Sequence, residues 1–115
     1  MAVRLTDPDD AKLVTLARAN RARVGRGDGG AVRDADGRTY SAASIDLPSL
    51  QLSALELAVA MAASSGVHGL EACVVVTEQM AVAERDLAVV RDLAGSGVPV
   101  YRADLDGAVI DETKT

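Results

Sequence analysis

The spacing of apolar positions changes period several times along the chain, and each change marks a predicted element. Ala11, Val14, Ala17 and Ala22, with Leu13 and Leu16 beside them, recur at helical intervals to about Val24. Thr6-Asp-Pro-Asp-Asp10 opens that stretch with a capping side chain, an early proline and an acidic first turn. Arg18, Arg21 and Arg23 fall toward its C-terminal end, where cations suit the helix dipole. Gly25-Arg-Gly-Asp-Gly-Gly30 breaks the helix. Ala31-Val-Arg33 and Arg38-Thr-Tyr-Ser-Ala42 then flank Asp34-Ala-Asp-Gly37, the pattern of a β-hairpin. Pro48 and Ser53-x-x-Glu56 mark the start of a second helix, the latter as a capping box. Leu52, Leu55, Val59, Ala60 and Ala63 carry its face to Ser64, and its lack of polar positions predicts burial on most sides.

Beyond Gly66, Ala72-Cys-Val-Val-Val76 is a continuous β-branched run, the pattern of a strand covered on both faces. A third helix is expected from Val82 to Ala94, closed by Gly95-Ser-Gly97. Val98-Pro-Val-Tyr101 reads as a short strand, Asp104-Leu-Asp-Gly107 as a turn and Ala108-Val-Ile110 as a last, edge strand. The order is αββαβαβ(β), with no internal repeat or linker. It predicts an α/β fold: one domain over residues 1–115, built as a three-layer α/β/α sandwich around a mixed sheet of about five strands.

Composition adds a constraint on the core. Apolar residues make up 49% of the 115 positions, yet Phe and Trp are absent and Tyr occurs only twice. Ala, Val and Leu must therefore fill the interior, and each contributes little area. A shared interface between copies would supplement such a core, so a homo-oligomer is expected, formed through the apolar second helix.

The net charge of −5 disfavours general nucleic-acid binding. The arginine-rich stretch nevertheless leaves RNA contact through Arg18, Arg21 and Arg23 as an alternative, that of a small RNA- or ribosome-associated protein. The glycine-rich segment leaves a helix instead of leading into one, unlike a phosphate-cradling loop. Its Arg26-Gly27-Asp28 tripeptide is an adhesion signal only on extracellular loops, and no secretory leader is expected in MAVRLTDPDD. One cysteine excludes an internal disulfide, and no apolar run is long enough to span a bilayer. A cytoplasmic location is the expectation.

Three segments together resemble the small cytidine deaminases. Gly30-Ala-Val-Arg-Asp-Ala-Asp-Gly-Arg-Thr-Tyr40 is similar to that family's first hairpin, and Leu52 to Gly66 to its catalytic helix. Gly97-Val-Pro-Val-Tyr-Arg-Ala-Asp-Leu-Asp-Gly107 is similar to its fourth-strand region. The resemblance implies a zinc held by three Cys or His ligands at two helix N-termini, with a glutamate moving protons. The motif Cys-Ala-Glu or His-Ala-Glu at the second helix puts the ligand position on Ser53, Ala54 or Leu55, and the acid on Leu55, Glu56 or Leu57. The motif Pro-Cys-x-x-Cys at the third helix falls at about Ala83-Glu-Arg-Asp-Leu87. An Asn-x-Glu that grips the ribose is replaced by Ser44-Ile-Asp46, and no Phe is present to wall the base.

The ligand count then decides the expected chemistry. His68, in a helix-to-strand loop, and Cys73, at the start of a buried strand, are the only His and Cys, and neither lies at a ligand position. Zinc is expected to be absent, with no metal site and no cofactor. Glu56 is the one candidate remnant of a catalytic acid, and Ser44, Asp46 and Ser53 are candidate ligand-binding residues. Tyr40 and Tyr101 offer the only aromatic faces, though strand tyrosines are more often packing residues. The leading expectation is a cytidine-deaminase-like domain acting as a non-catalytic binding or assembly protein, with a small nucleoside-like ligand bound weakly at most. A nucleoside deaminase with a displaced site is the alternative.

Overall fold

Asp7 supplies the expected cap of the first helix: its carboxylate accepts the backbone N–H of Asp9 at 2.8 Å. This is seen in a computed structural model, which describes residues 5–115; residues 1–4, part of the stretch read for a leader, lie outside it. The helix, α1 (Pro8–Val24), ends where Gly25 takes the left-handed conformation at φ 82° and donates its N–H to the carbonyl of Arg21. Its inner face is Asp10, Leu13, Val14 and Ala17, whereas Ala11 and Ala22 are exposed. The alanines fit the helical period yet fall outside the strip that touches the sheet.

β1 (Gly29–Asp34) and β2 (Thr39–Ala43) form the expected hairpin, antiparallel with Val32 opposite Tyr40. Asp34 closes its turn, since Oδ1 accepts the backbone N–H groups of Asp36 and Arg38, each at 2.9 Å. A second, smaller hairpin follows, β3 (Ile45–Leu47) and β4 (Leu50–Leu52), with Pro48 and Ser49 as its turn. Pro48 is thus not a helix start. Its fixed φ serves a two-residue turn, and the helix begins only after Ser53.

The capping box is formed: in α2 (Ala54–Ser64) the Ser53 side chain accepts from the N–H of Glu56, and Glu56 accepts from the N–H of Ser53. The helix buries Ala54, Leu55, Ala58, Val59 and Ala62, while Ala60, Met61 and Ala63 face outward. The expected burial on most sides is therefore met on one side within a single chain. After α2 come β5 (Leu70–Val76), α3 (Glu84–Ala94), β6 (Pro99–Ala103) and β7 (Val109–Lys114). α3 starts two residues later than the sequence suggests, because Val82 and Ala83 remain extended or loop-like on the way in.

The main sheet has the order β2-β1-β5-β6-β7, antiparallel except for the β5–β6 pair, which is parallel and bridged by α3. Alternate residues of β5 feed two cores. Ala72, Val74 and Val76 pack with Leu13, Val14 and Ala17 of α1. Cys73 and Val75 pack on the opposite face with Leu55, Ala58 and Val59 of α2 and Leu87 and Val90 of α3. This is the three-layer sandwich with a mixed five-stranded sheet that the sequence predicts. Small side chains let the layers approach closely: a Cβ on Gly30 would lie 2.8 Å from the carbonyl carbon of Ala54 at the start of α2.

The candidate site at the helix N-termini

The first turns of α2 and α3 converge near the C-terminal end of β5, where the chain leaves Val76 and runs through Thr77 toward α3. A cavity of about 700 Å³ opens there. Ligand sites in open α/β sheets favour this location, beyond the carboxyl ends of parallel strands. One wall is apolar: Ile45, Leu52, Val75, Met80 and Val82. The polar wall carries Asp28, Asp46, Glu56 and Asp86, one cation, Arg85, and the neutral groups of Gln51, Ser53, Thr77 and Gln79.

Hydrogen bonds set the orientation of these groups. The Ser53 hydroxyl donates to Asp86 Oδ1 at 2.6 Å, joining the N-termini of the two helices. Ser53 Oγ also accepts the N–H of Glu56 at 3.0 Å, and Glu56 Oε1 accepts the N–H of Ser53 at 2.8 Å. Glu56 Oε2 lies 2.8 Å from Nε of Arg85, so both of its oxygens are engaged. Asp28 is braced through its backbone, since its N–H donates to Ser44 Oγ and its carbonyl accepts from the N–H of Ser44, each at 3.0 Å. The loop wall is held from behind: Arg102 of β6 donates Nη1 to the Gln79 carbonyl at 3.0 Å, and its guanidinium grips Asp111 of β7 at 2.7 Å.

Two of the carboxyls are harder to ionise than usual. Burial raises the pKa of Asp86 most, the Ser53 hydroxyl and Arg85 oppose it, and Glu56 and Asp28 push it further up. Burial likewise raises Asp28, with Glu78 adding to the effect and Thr77 and Arg21 opposing it. A carboxylate in the first turn of a helix is normally favoured by the dipole. Asp86 is raised despite that position, so desolvation and neighbouring negative charge outweigh the dipole.

The residues singled out in the sequence are partly brought together. Asp46, Ser53 and Glu56 line the cavity; Ser44 does not, but supports Asp28, which does. Sequence reasoning passed over Asp28, whose only notice came from the tripeptide around it, and Asp86, which appeared only within the stretch matched to the third-helix motif. The signal for Asp86 was its place four residues into the segment matched to the third-helix motif. For Asp28 no local signal exists, because the β1 approach places it. His68 is exposed between α2 and β5. Cys73 is buried in the core, where burial pushes its thiol up to about 12. The tyrosine rings stand elsewhere: Tyr40 donates to Asp34 Oδ2 and Tyr101 to Asp10 Oδ2. Arg18, Arg21 and Arg23 donate to the Leu105 carbonyl, the Gly27 carbonyl and Asn20 Oδ1.

The donor set does not fit the zinc that the resemblance implies. Of the ligand candidates at α2, Ser53 offers a hydroxyl already committed to Asp86, Ala54 a methyl and Leu55 a fully buried alkyl group. The start of α3 offers the Ala83 methyl and two carboxylates, those of Glu84, which is not part of the cavity lining, and Asp86, already bonded to Ser53, with no thiolate or imidazole. Among the described residues no group of three or more His, Cys, Asp and Glu could hold a metal ion. Zinc sites of this kind take three protein ligands, and thiolate or imidazole provides most of the binding energy.

The comparisons with known proteins agree with the architecture. The structure is similar to a cytidine deaminase from Burkholderia pseudomallei, with a TM-score of 0.74, 22% identity and coverage of 90% of this chain and 89% of that one. It is also similar to cytidine deaminases from Mycobacterium tuberculosis (TM-score 0.65, 24% identity, 82% and 85% covered) and Mycobacterium leprae (0.65, 20%, 82% and 87%). At these identities the likeness shows the fold. No curated protein matches the chain in sequence. No described helix is long and apolar enough to cross a membrane. The family model for cytidine deaminase-like proteins, however, matches residues 6–107, nearly the whole chain, which therefore belongs to the cytidine deaminase-like family.

Proposed function

We propose that this chain is a non-catalytic binding or assembly protein that keeps the deaminase cavity without its metal-dependent chemistry. The observation that carries the reading is the 2.6 Å hydrogen bond from Ser53 to Asp86. It ties together the two helix N-termini from which the family resemblance draws its zinc ligands, with oxygen atoms that satisfy each other. Glu56, the one candidate proton carrier, spends one carboxylate oxygen on the cap and the other on Arg85. With no metal to activate it, water is a poor nucleophile at neutral pH. The cavity itself remains large enough for a small molecule and keeps both a polar and an apolar wall.

Assembly is the second part of the proposal. Ala60, Met61 and Ala63 form an exposed small and apolar strip on α2, the helix whose sequence is too apolar for a solvated surface. We assign that strip to a homo-oligomeric contact. Sedimentation of wild type as a monomer at high micromolar concentration would count against it.

Metal analysis of protein purified without chelators, combined with a cytidine turnover assay, tests the central reading. The expected result is substoichiometric zinc and no turnover. Stoichiometric zinc with chelator-sensitive deamination would return the chain to the enzymes and revive a displaced site.

A further inference from the structure

We infer that the cavity between α2 and α3 is selective for a small organic cation, an amidine or amine carried on an apolar body, over an uncharged ligand of the same shape. The inference rests on the binding reading above and names the ligand class. Four carboxylates and a single guanidinium line the cavity, and that guanidinium is occupied by Glu56. Among the described residues neither Asp28 nor Asp86 is in an ion pair, and the nearby Arg21 and Arg85 only partly offset the burial of each.

The more telling group is Asp86. It is 7% exposed, it lines the cavity, and the Ser53 hydroxyl is bonded to its Oδ1 alone. No hydrogen bond reaches its Oδ2 among the described residues. That oxygen is not among the sealed, unpartnered side-chain atoms of the described residues, so it opens onto the cavity, where a ligand donor can reach it. Charge-assisted N–H donors are the strongest such partners, and an amidinium presents two in parallel.

The electrostatic balance favours the same occupant. Facing Asp86 are Glu56 of α2, Asp28 before β1 and Arg85 of its own helix. Facing Asp28 are Thr77, Arg21 of α1 and Glu78. Burial is the main reason both acids are harder to ionise, with neighbouring carboxylates adding to it, and a cation bound beside them would favour their charged forms. An anionic ligand would meet Arg85, already paired with Glu56, and the dipoles of two helix N-termini whose first turns already hold Glu56, Glu84 and Asp86. The apolar wall of Ile45, Leu52, Val75, Met80 and Val82 argues for an organic body behind the charged head over a hydrated metal ion or a polyamine.

The test compares benzamidine with benzamide, which differ in charge and scarcely in shape, by calorimetric titration of the full chain. Benzamidine should bind at least about tenfold more tightly. Asp86→Asn and Asp28→Asn should each erase most of that margin while melting cooperatively. Asparagine at 86 keeps an oxygen for the Ser53 hydroxyl, and the Asp28 variant carries the test should the other misfold. Lowering the pH through the range where these acids take up protons should shrink the margin in wild type. Equal affinities, absence of benzamidine binding at millimolar concentration, or a margin untouched by both substitutions would overturn the inference. Cytidine titrated in parallel separates the two ideas. Cytidine bound intact without any benzamidine preference sinks the cation inference and leaves the binding reading standing, whereas deamination sinks the binding reading while the benzamidine margin is read on its own.

Discussion

Arg102 reaches from the buried face of β6 to the Gln79 carbonyl at 3.0 Å while its Nε and Nη2 hold Asp111 on the edge strand β7. One guanidinium thus links the edge of the sheet to the loop that walls the cavity. Arg102 is 9% exposed, so truncation opens a gap in the sheet face and leaves the Gln79 carbonyl and a half-exposed carboxylate without their donor. Arg102→Ala should cost about 2 kcal/mol, within the usual range for hydrogen bonds to charged groups. Urea denaturation gives the stability. Amide exchange should also quicken across residues 77–83, and an unchanged exchange rate there would show that the loop does not depend on Arg102.

Ser53 serves two helices at once. Ser53→Ala removes the cap of α2 and the donor to Asp86 together, for a loss of about 1–2 kcal/mol. The hydroxyl opposes the raised pKa of Asp86, so its removal should push that carboxyl further up, which carbon-detected NMR titration would read. Ser53→Thr keeps both hydrogen bonds and should restore most of the stability.

Gly30 is a packing requirement at the base of the site. A Cβ there would meet Ala54 carbonyl carbon and oxygen at 2.8 and 2.9 Å and the Leu55 nitrogen at 2.9 Å, all backbone atoms. Rigid neighbours cannot swing aside, so α2 itself must shift. Gly30→Ala should destabilise by about 1–3 kcal/mol, the usual cost of overpacking. A melting curve unchanged from wild type would show that the β1–α2 contact is looser than this distance implies.

The pH dependence of stability has two opposing parts. Burial disfavours charge on Asp34, but the N–H groups of Arg38 and Asp36 and the Tyr40 hydroxyl outweigh it and hold the carboxyl below its usual 3.8. Its stabilisation is present above 3.8 and is lost as pH falls through the lower folded value. Asp28 and Asp86 act in the opposite sense. Their folded pKa values lie above 3.8, so stability falls as pH rises from 3.8 through those values. The Asp34→Asn variant should therefore lose less stability than wild type on acidification below pH 3.8. The double variant Asp28→Asn, Asp86→Asn should lack the decline that wild type shows as pH rises above it. Melting temperature followed against pH for the three proteins checks both signs.

Much of this molecule was legible in local patterns. The apolar run over Val74-Val-Val76 required a strand covered on both faces, and the structure packs its alternate residues against α1 and against α2 and α3. Ser53-x-x-Glu56 specified a capping box, which depends only on residues three apart. The glycine-led hairpin and the missing Cys and His at two helix starts were equally visible, since residue identity and short spacing suffice to read them. Pro48 misled because a proline suits a hairpin turn as well as a helix start, and only the pairing of Leu47 with Leu50 decides between them.

The cavity was a different matter. Asp28, Ser53 and Asp86 come from the start of β1 and from two helices, separated by 25 and 33 positions, and nothing local to any of them signals the others. The sequence by itself determined the elements, the two-sided sheet and the lack of Cys or His at the two helix starts, because these follow from periodicity and residue identity. Tertiary structure alone decided that the Ser53 hydroxyl would meet Asp86, that Arg85 would neutralise Glu56, and that Asp28 and Asp86 would share a partly desolvated pocket. Those relations arise from how closely glycine and alanine let α2 settle on β1 and how the β5–α3–β6 crossover aims its helix, and burial there then makes Asp28 and Asp86 harder to ionise.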